Sequence, residues 1–149
     1  MSNRNQIEQQ LITARFQAYW VPKFPSLPIK YENRNFTPPV NNPWVSFSIR
    51  SGRVAEAAIS TIMPRGIGIT YLQIFLPENA GTLVARQYVD AFADVFDNWH
   101  TIYPAEPPYP RGDFWFKRVE VVPSAIRDGW LQWTASVEFK HDEQIIVVG

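Results

Sequence analysis

The stretch LPIKYENRNFTPPVNNPWVSFSIR, residues 27 to 50, carries the pattern that decides the fold. From Trp44 to Arg50 the side chains alternate: Val45, Phe47 and Ile49 point one way, Trp44, Ser46, Ser48 and Arg50 the other, as in a half-buried strand. Prolines at 22, 25, 28, 38, 39 and 43 leave only short pieces able to join a sheet, and Ile29 to Glu32 is the one that predicts an edge strand. Between the two strands, Glu32 to Asn42 reads as a loop, because Asn33, Asn35, Asn41 and Asn42 favour turns and Pro38-Pro39 stiffens the middle. Phe36 in so polar a loop is either a plug that pins the loop to the core or a contact to a neighbouring subunit.

Upstream, the sequence predicts a helix from about Asn5 to Tyr19. Asn5 has Glu8 three residues on, the spacing of a capping box, and Ile7, Leu11, Ala14 and Ala18 recur on one face. The polar remainder (Gln6, Gln9, Gln10, Thr13, Gln17) is uncharged, which suits either an ordinary exposed face or a subunit contact. Downstream, Ser51-Gly52-Arg53 predicts a turn and Val54 to Ile62 the second strand of a hairpin. Gly66-Ile67-Gly68 lacks the third glycine, the Lys-Ser/Thr and the following helix of a phosphate loop, so a turn or bulge is expected there. Ile69 to Leu76 is apolar on both faces and predicts a central strand covered by helices.

A second helix is expected to follow Pro77, capped by Asn79 or Thr82 and running to about Trp99, with Val84, Tyr88, Ala91, Phe92, Val95 and Trp99 as its core stripe. Its opposite face carries Arg86, Asp90, Asp94 and Asp97, a row that suits solvent or a charge-complementary subunit contact better than a cation site. Tyr103 to Asp113, YPAEPPYPRGD, is a stiff loop that serves as a connector or a projecting contact arm. Phe114 to Val122 and Gly129 to Lys140 predict two last strands, pairing across Pro123 to Asp128. The expectation is a single α+β domain spanning 1–149: a mostly antiparallel, twisted sheet of about five strands with two main helices packed on it.

Composition narrows the function. Fourteen basic residues balance fourteen acidic ones, so there is no global positive field for a specific nucleic acid, and the absence of cysteine removes disulfides, thiolate nucleophiles and sulfur-ligated zinc. No run approaches the roughly 20 apolar residues that span a bilayer, and MSNRNQIEQQL lacks the apolar core of a signal peptide, so a cytoplasmic product is expected, without a membrane partner. His100 and His141 are the only histidines and belong to no triad or metal pattern. No catalytic residue, metal ligand or cofactor site is therefore assigned. Six tryptophans leave a small ligand- or carbohydrate-binding module as the reading from another class.

Leu27, Pro28, Ile29 and Tyr31, then Asn33, Phe36 and Pro38 in the order N-x-x-F-x-P, then W-V-S-F-S-I from Trp44 to Ile49, resemble the tail-terminator proteins of long-tailed bacteriophages. Ile74-Phe75-Leu76-Pro77, Gly81-Thr82 and the helix after them extend the resemblance over about the first two thirds of the chain. It implies a structural protein at the head-proximal end of the virion tail: a homo-hexameric ring that caps the tail tube, stops its polymerisation and meets the head-tail connector. Partners would be further copies of the chain, the tube protein and the connector. Another head-tail completion protein is the alternative within the same class. Side-to-side contacts in such a ring join two different patches of each subunit. Asn33, Arg34, Asn35, Phe36, Asp90, Asp94, Asp97, Tyr109 and Arg111 are the candidate contact residues.

Overall fold

Two long strands, β3 (Pro64–Pro77) and β7 (Trp130–Gln144), pair antiparallel from Arg65 opposite Asp142 to Pro77 opposite Trp130, and the rest of the sheet is built outward from them. In this computed structural model, residues 4–32, 34–56, 64–78, 80–104 and 111–144 are described. The other elements are α1 (Arg4–Tyr19), a 3₁₀ turn at Val21–Lys23, β1 (Ile29–Tyr31), β2 (Trp44–Glu56), α2 (Leu83–Phe96), β4 (His100–Tyr103), β5 (Arg111–Phe116) and β6 (Glu120–Arg127). The sheet has the order β1-β2-β3-β7-β5-β4, and β6 also pairs with β7. Every pairing is antiparallel except that of β1 with β2.

The expected α+β class is observed, with two helices, but the sheet has seven strands rather than about five. One addition is β4, only four residues long, which follows α2 where the sequence placed the end of that helix. The other comes from division of the run expected over Phe114 to Val122. Its first part, β5, pairs with the end of β7, and β6 pairs with the beginning of β7. The break falls where the chain is held by the end of α2: Asn98 N–H donates to Lys117 O, and Val119 N–H donates to Asp97 Oδ1 at 2.7 Å.

Three turn expectations are corrected. β2 does not turn at Ser51-Gly52-Arg53 but continues through them with a register shift between Ser51 and Val54, and its partner is β3. The expected partner strand, Val54 to Ile62, lies in part within β2, and residues 57–63 lie outside the described residues. Gly66 and Gly68 sit inside β3, not in a turn. A Cβ on Gly66 would collide with the Arg4 guanidinium, and one on Gly68 with the Phe139 ring and, at 2.8 Å, with Arg50 O. The β6–β7 turn is Asp128-Gly129, with φ of 51° and 82°, the two-residue hairpin that requires positive φ at both positions; Pro123 lies inside β6.

Both helices lie on one face of the sheet, over a core that includes Val45, Phe47, Leu72, Ile74, Leu76, Phe114, Trp133, Val137 and Phe139. β3 is therefore central but covered by helices on one side only, while Ile69, Tyr71, Gln73 and Phe75 stay half-buried on the other. α1 is rotated from the expected stripe. Arg4, Ile7, Glu8, Ile12, Phe16 and, just past its end, Trp20 turn inward, whereas Ala14 and Ala18 are exposed. The rotation buries the larger side chains at steps of four, and apolar burial stabilises in proportion to area, about 25 cal/mol per Å². Phe16 stacks at 4.0 Å on Phe47 and 4.9 Å from Trp20. Asn5 does not cap this helix, because Arg4 is already helical.

α2 starts after Gly81, at φ of 79°, with Thr82 in the capping position but without a side-chain cap bond. Asn79 lies outside the described residues. The helix ends at Phe96 instead of Trp99: Asp97 caps it, Asn98 turns to φ of 54°, and Trp99 folds back 6.1 Å from the Phe96 ring. Arg15 of α1 donates to Val95 O at 2.8 Å, satisfying a carbonyl in the last turn of α2, where no helical partner remains.

Candidate functional site

Behind the first turn of α1 lies a buried polar cluster that no sequence pattern announced. Arg4 reaches Glu143 Oε1 at 2.8 Å and donates to His141 O at 2.7 Å. His141 Nδ1 lies 3.1 Å from Glu8 Oε2, its Nε2 lies 2.5 Å from Tyr103 Oη, and Ser51 Oγ donates to Glu8 Oε1 at 2.9 Å. A carboxylate only accepts, so Nδ1 carries the proton toward Glu8, and in the neutral imidazole Nε2 accepts from Tyr103. Glu8 and His141 are thus the centre of a bridge from α1 to β2, β4 and β7.

The Tyr-His-Glu chain has the connectivity of a proton relay, but its surroundings do not suit catalysis. His141 and Glu8 are fully buried, at 0% and 1% exposure, so no substrate atom can reach the imidazole. Burial, reinforced by Glu143, pushes the Tyr103 phenol well above its ordinary value and keeps it protonated, the opposite of an activated nucleophile. Among the described residues no group of three or more acidic or histidine side chains is arranged to hold a metal ion. The cluster's physical role is to hold the start of α1 on the sheet.

The candidate contact residues fall in three separate places. Arg34 and Asn35 are exposed in the crossing from β1 to β2, while Phe36 is half-buried 5.1 Å from the Trp44 ring. Trp44 stacks at 3.9 Å on Phe75 and lies 6.2 Å from Trp130, so the crossing is pinned over the helix-free face of the sheet. Phe36 is thereby held against Trp44 on that face. Asp90 and Asp94 are exposed on α2, with Lys23 3.8 Å from Asp94, and Asp97 is committed to Val119 N–H. Arg111 is exposed where β5 begins. Asn33, Tyr109 and the 105–110 part of the proposed arm lie outside the described residues.

Two further surfaces stand out, the first visible only in three dimensions. A groove of about 710 Å³ runs between Pro38–Asn41, Pro77-Glu78 and the Asp128–Trp130 turn, with Val40 81% exposed at its rim. The tryptophans do not gather around it. Trp20, Trp44 and Trp133 are buried, Trp99 and Trp130 half-buried, and Trp115, 46% exposed, stacks on His100 at 3.6 Å away from the groove residues. The second surface is the outward side of α1, where no charged residue is exposed.

The ionisable cluster of this α+β scaffold is sealed inside. The chain belongs to the family described as Phage tail terminator protein, which it matches over residues 7–129. Its class is thus structural, its setting the tail of a bacteriophage virion and its activity tail assembly, in contact with other tail and head-tail components. The match extends well past Trp99 and ends at the turn before β7. A solved structure 17% identical to the chain covers 94% of it and 98% of its own length at a TM-score of 0.54, a likeness of fold. No curated protein sequence matches. Among the described residues no helix is long and apolar enough to cross a membrane.

Proposed function

We propose that the protein caps the head-proximal end of the tail tube as a homo-hexameric ring, stops addition of tube subunits and offers the docking surface for the head-tail connector. The observation that carries this reading is the family match over residues 7–129. Capping requires a ring with two unlike faces, one complementary to the tube end and one that rejects tube subunits and accepts the connector. The unlike sides of this domain, helices on one and bare sheet on the other, supply such asymmetry without any chemistry. Among the described residues, Arg34, Asn35, Asp90, Asp94, Asp97 and Arg111 are exposed and Phe36 is half-buried, and all seven remain proposed contact residues.

Electron microscopy of particles assembled with and without the protein tests it, scoring tube length and head attachment. Overlong, headless tails without it are expected; tails of normal length and joining would overturn the proposal. The groove beside Trp130 favours a second reading, a small ligand- or carbohydrate-binding module. Saturable binding of a sugar or metabolite, lost in Trp130→Ala, together with normal tails, would support it instead.

A further inference from the structure

We propose that the proline-rich arm of one subunit, Pro104 to Pro110, docks in an aromatic groove beside β1 of the next copy of this chain. The inference rests on the ring reading above and names one pair of patches that meet in it.

If the helix side and the bare sheet are the two unlike faces of the ring, neighbours meet around the rim of the domain. β1 and β4 are the two ends of the sheet order, so each borders that rim. The groove adjoins the first, and the arm follows the second.

The groove, of about 390 Å³, lies between Phe24–Pro28, Pro39, Asn42-Pro43 and Tyr88 of α2. Phe24 meets the Tyr88 ring edge-on at 4.7 Å and lies 4.8 Å from Trp20, whose Nε1–H donates to Tyr88 O at 3.2 Å. Its aromatic floor is thus fixed within the subunit. Pro25, Pro28, Pro39 and Pro43 give it stiff walls, and among the described residues no charged side chain lines it. Grooves of this composition receive polyproline II segments, whose backbone is already extended and loses little entropy on docking.

The arm has the matching repeat. Pro104, Pro107 and Pro110 recur at every third residue, the turn of a polyproline II helix, and on that backbone form one apolar stripe. Ala105 and Pro108 form the next stripe, while Glu106 and Tyr109 share the third. Two of the three sides can therefore enter an uncharged groove without desolvating a charge. The same spacing at Pro22, Pro25 and Pro28 is already taken up by the 3₁₀ turn and the groove wall.

Within one subunit the arm and the groove are out of reach of each other. β1 and β4 are five strand spacings apart, about 24 Å. Along the strands, Ile29 is in register through Val45 and Ile74 with Trp133, whereas Tyr103 is in register through Gly112 with Glu143, about 33 Å further along β7. Pro104 to Pro110, held at both ends by β4 and β5, extends at most about 14 Å. Contact therefore needs a second copy. Patches at opposite corners of one domain make a heterologous contact, in which each copy offers one and receives the other.

The chain has no cysteine, so single cysteines report contacts directly. Ala105→Cys in the arm and Ser26→Cys in the groove are prepared separately and treated with a short bismaleimide, each alone and mixed, with and without purified tail tubes. Glu106→Cys gives a second arm position, and Val40→Cys, beyond Pro39 on the Trp130 groove, is the control. Cross-linked dimer at least about tenfold more abundant in the arm–groove mixture than in either variant alone is expected, because docking concentrates the two thiols. Excess synthetic peptide of residues 103–113 should suppress it, and the same peptide with Pro107→Ser/Pro110→Ser should not. Equal suppression by both peptides, equal linking to Val40→Cys, or arm variants that link to themselves as readily would each overturn the assignment. Absence of cross-links while the unsubstituted protein sediments as an oligomer would overturn it and leave the ring intact. Absence of both, with tubes present, would remove the ring reading too.

Discussion

Arg4 Nη2 sits 2.8 Å from Glu143 Oε1, which ties the first turn of α1 to the end of β7 in a site where the two side chains are 10% and 2% exposed. Removing one partner of a buried pair leaves an uncompensated charge, at a cost of about 3–5 kcal/mol. Arg4→Met is therefore expected to lower the unfolding free energy by about that amount in urea titration. The double variant Arg4→Met/Glu143→Met should recover more than half of the loss. A single variant within about 0.5 kcal/mol of the parent would show that the pair does not anchor the helix.

Phe16 and Ala18 separate the observed orientation of α1 from the one its sequence suggested. Phe16 is fully buried between Phe47 and Trp20, so Phe16→Ala should cost about 3–5 kcal/mol. Ala18 is exposed, so Ala18→Ser should stay within about 0.7 kcal/mol, the span of ordinary helix propensity. Comparable losses at both positions, read from thermal unfolding, would contradict the rotation.

Gly68→Ala tests the close approach of β3 to its neighbours. The added methyl meets the Phe139 ring and Arg50 O, the latter backbone that cannot swing away, and overpacking of this kind costs about 1–3 kcal/mol. Denaturant midpoints check it; an unchanged midpoint would mean that the strands separate at little cost.

Alkaline pH should loosen the fold through two tyrosines. Burial raises the pKa of both Tyr88 and Tyr103, so the folded chain keeps these protons to higher pH than the unfolded chain. Their contribution is complete below about pH 10, the unfolded value, and is lost as pH rises through the folded values. Stability measured from about pH 8 to 12 should fall along this limb. The fall should be shallower in Tyr103→Phe, which at neutral pH loses only the bond to His141, about 1 kcal/mol. An equally steep limb in that variant would assign the loss to other groups.

Local pattern was legible where one periodicity dominated. The alternation of Trp44 to Arg50 located β2, the proline spacing left Ile29 to Glu32 for the edge strand β1, and the apolar stripe around Tyr88, Phe92 and Val95 located α2. The Asn- and Pro-rich crossing was equally plain, and the order of these motifs carried the family resemblance. Asp128-Gly129 is a local hairpin signal, whereas Pro123, which suggests a turn five residues earlier, lies inside β6.

Other features had no local signature. Whether Ala14 and Ala18 or Ile12 and Phe16 face the sheet depends on the aromatic ring of Phe47 waiting beneath, from another element. Glu8 and His141 become partners only because β7 runs past the start of α1, and the glycines of β3 are needed only because Arg4 and Phe139 come to lie against them. The sequence by itself determined which segments turn, alternate or coil, since those follow from backbone preference and spacing within a few residues. Tertiary structure alone decided which face each segment buries, where its charges end and which faces remain neutral, because these depend on burial between segments far apart in the chain.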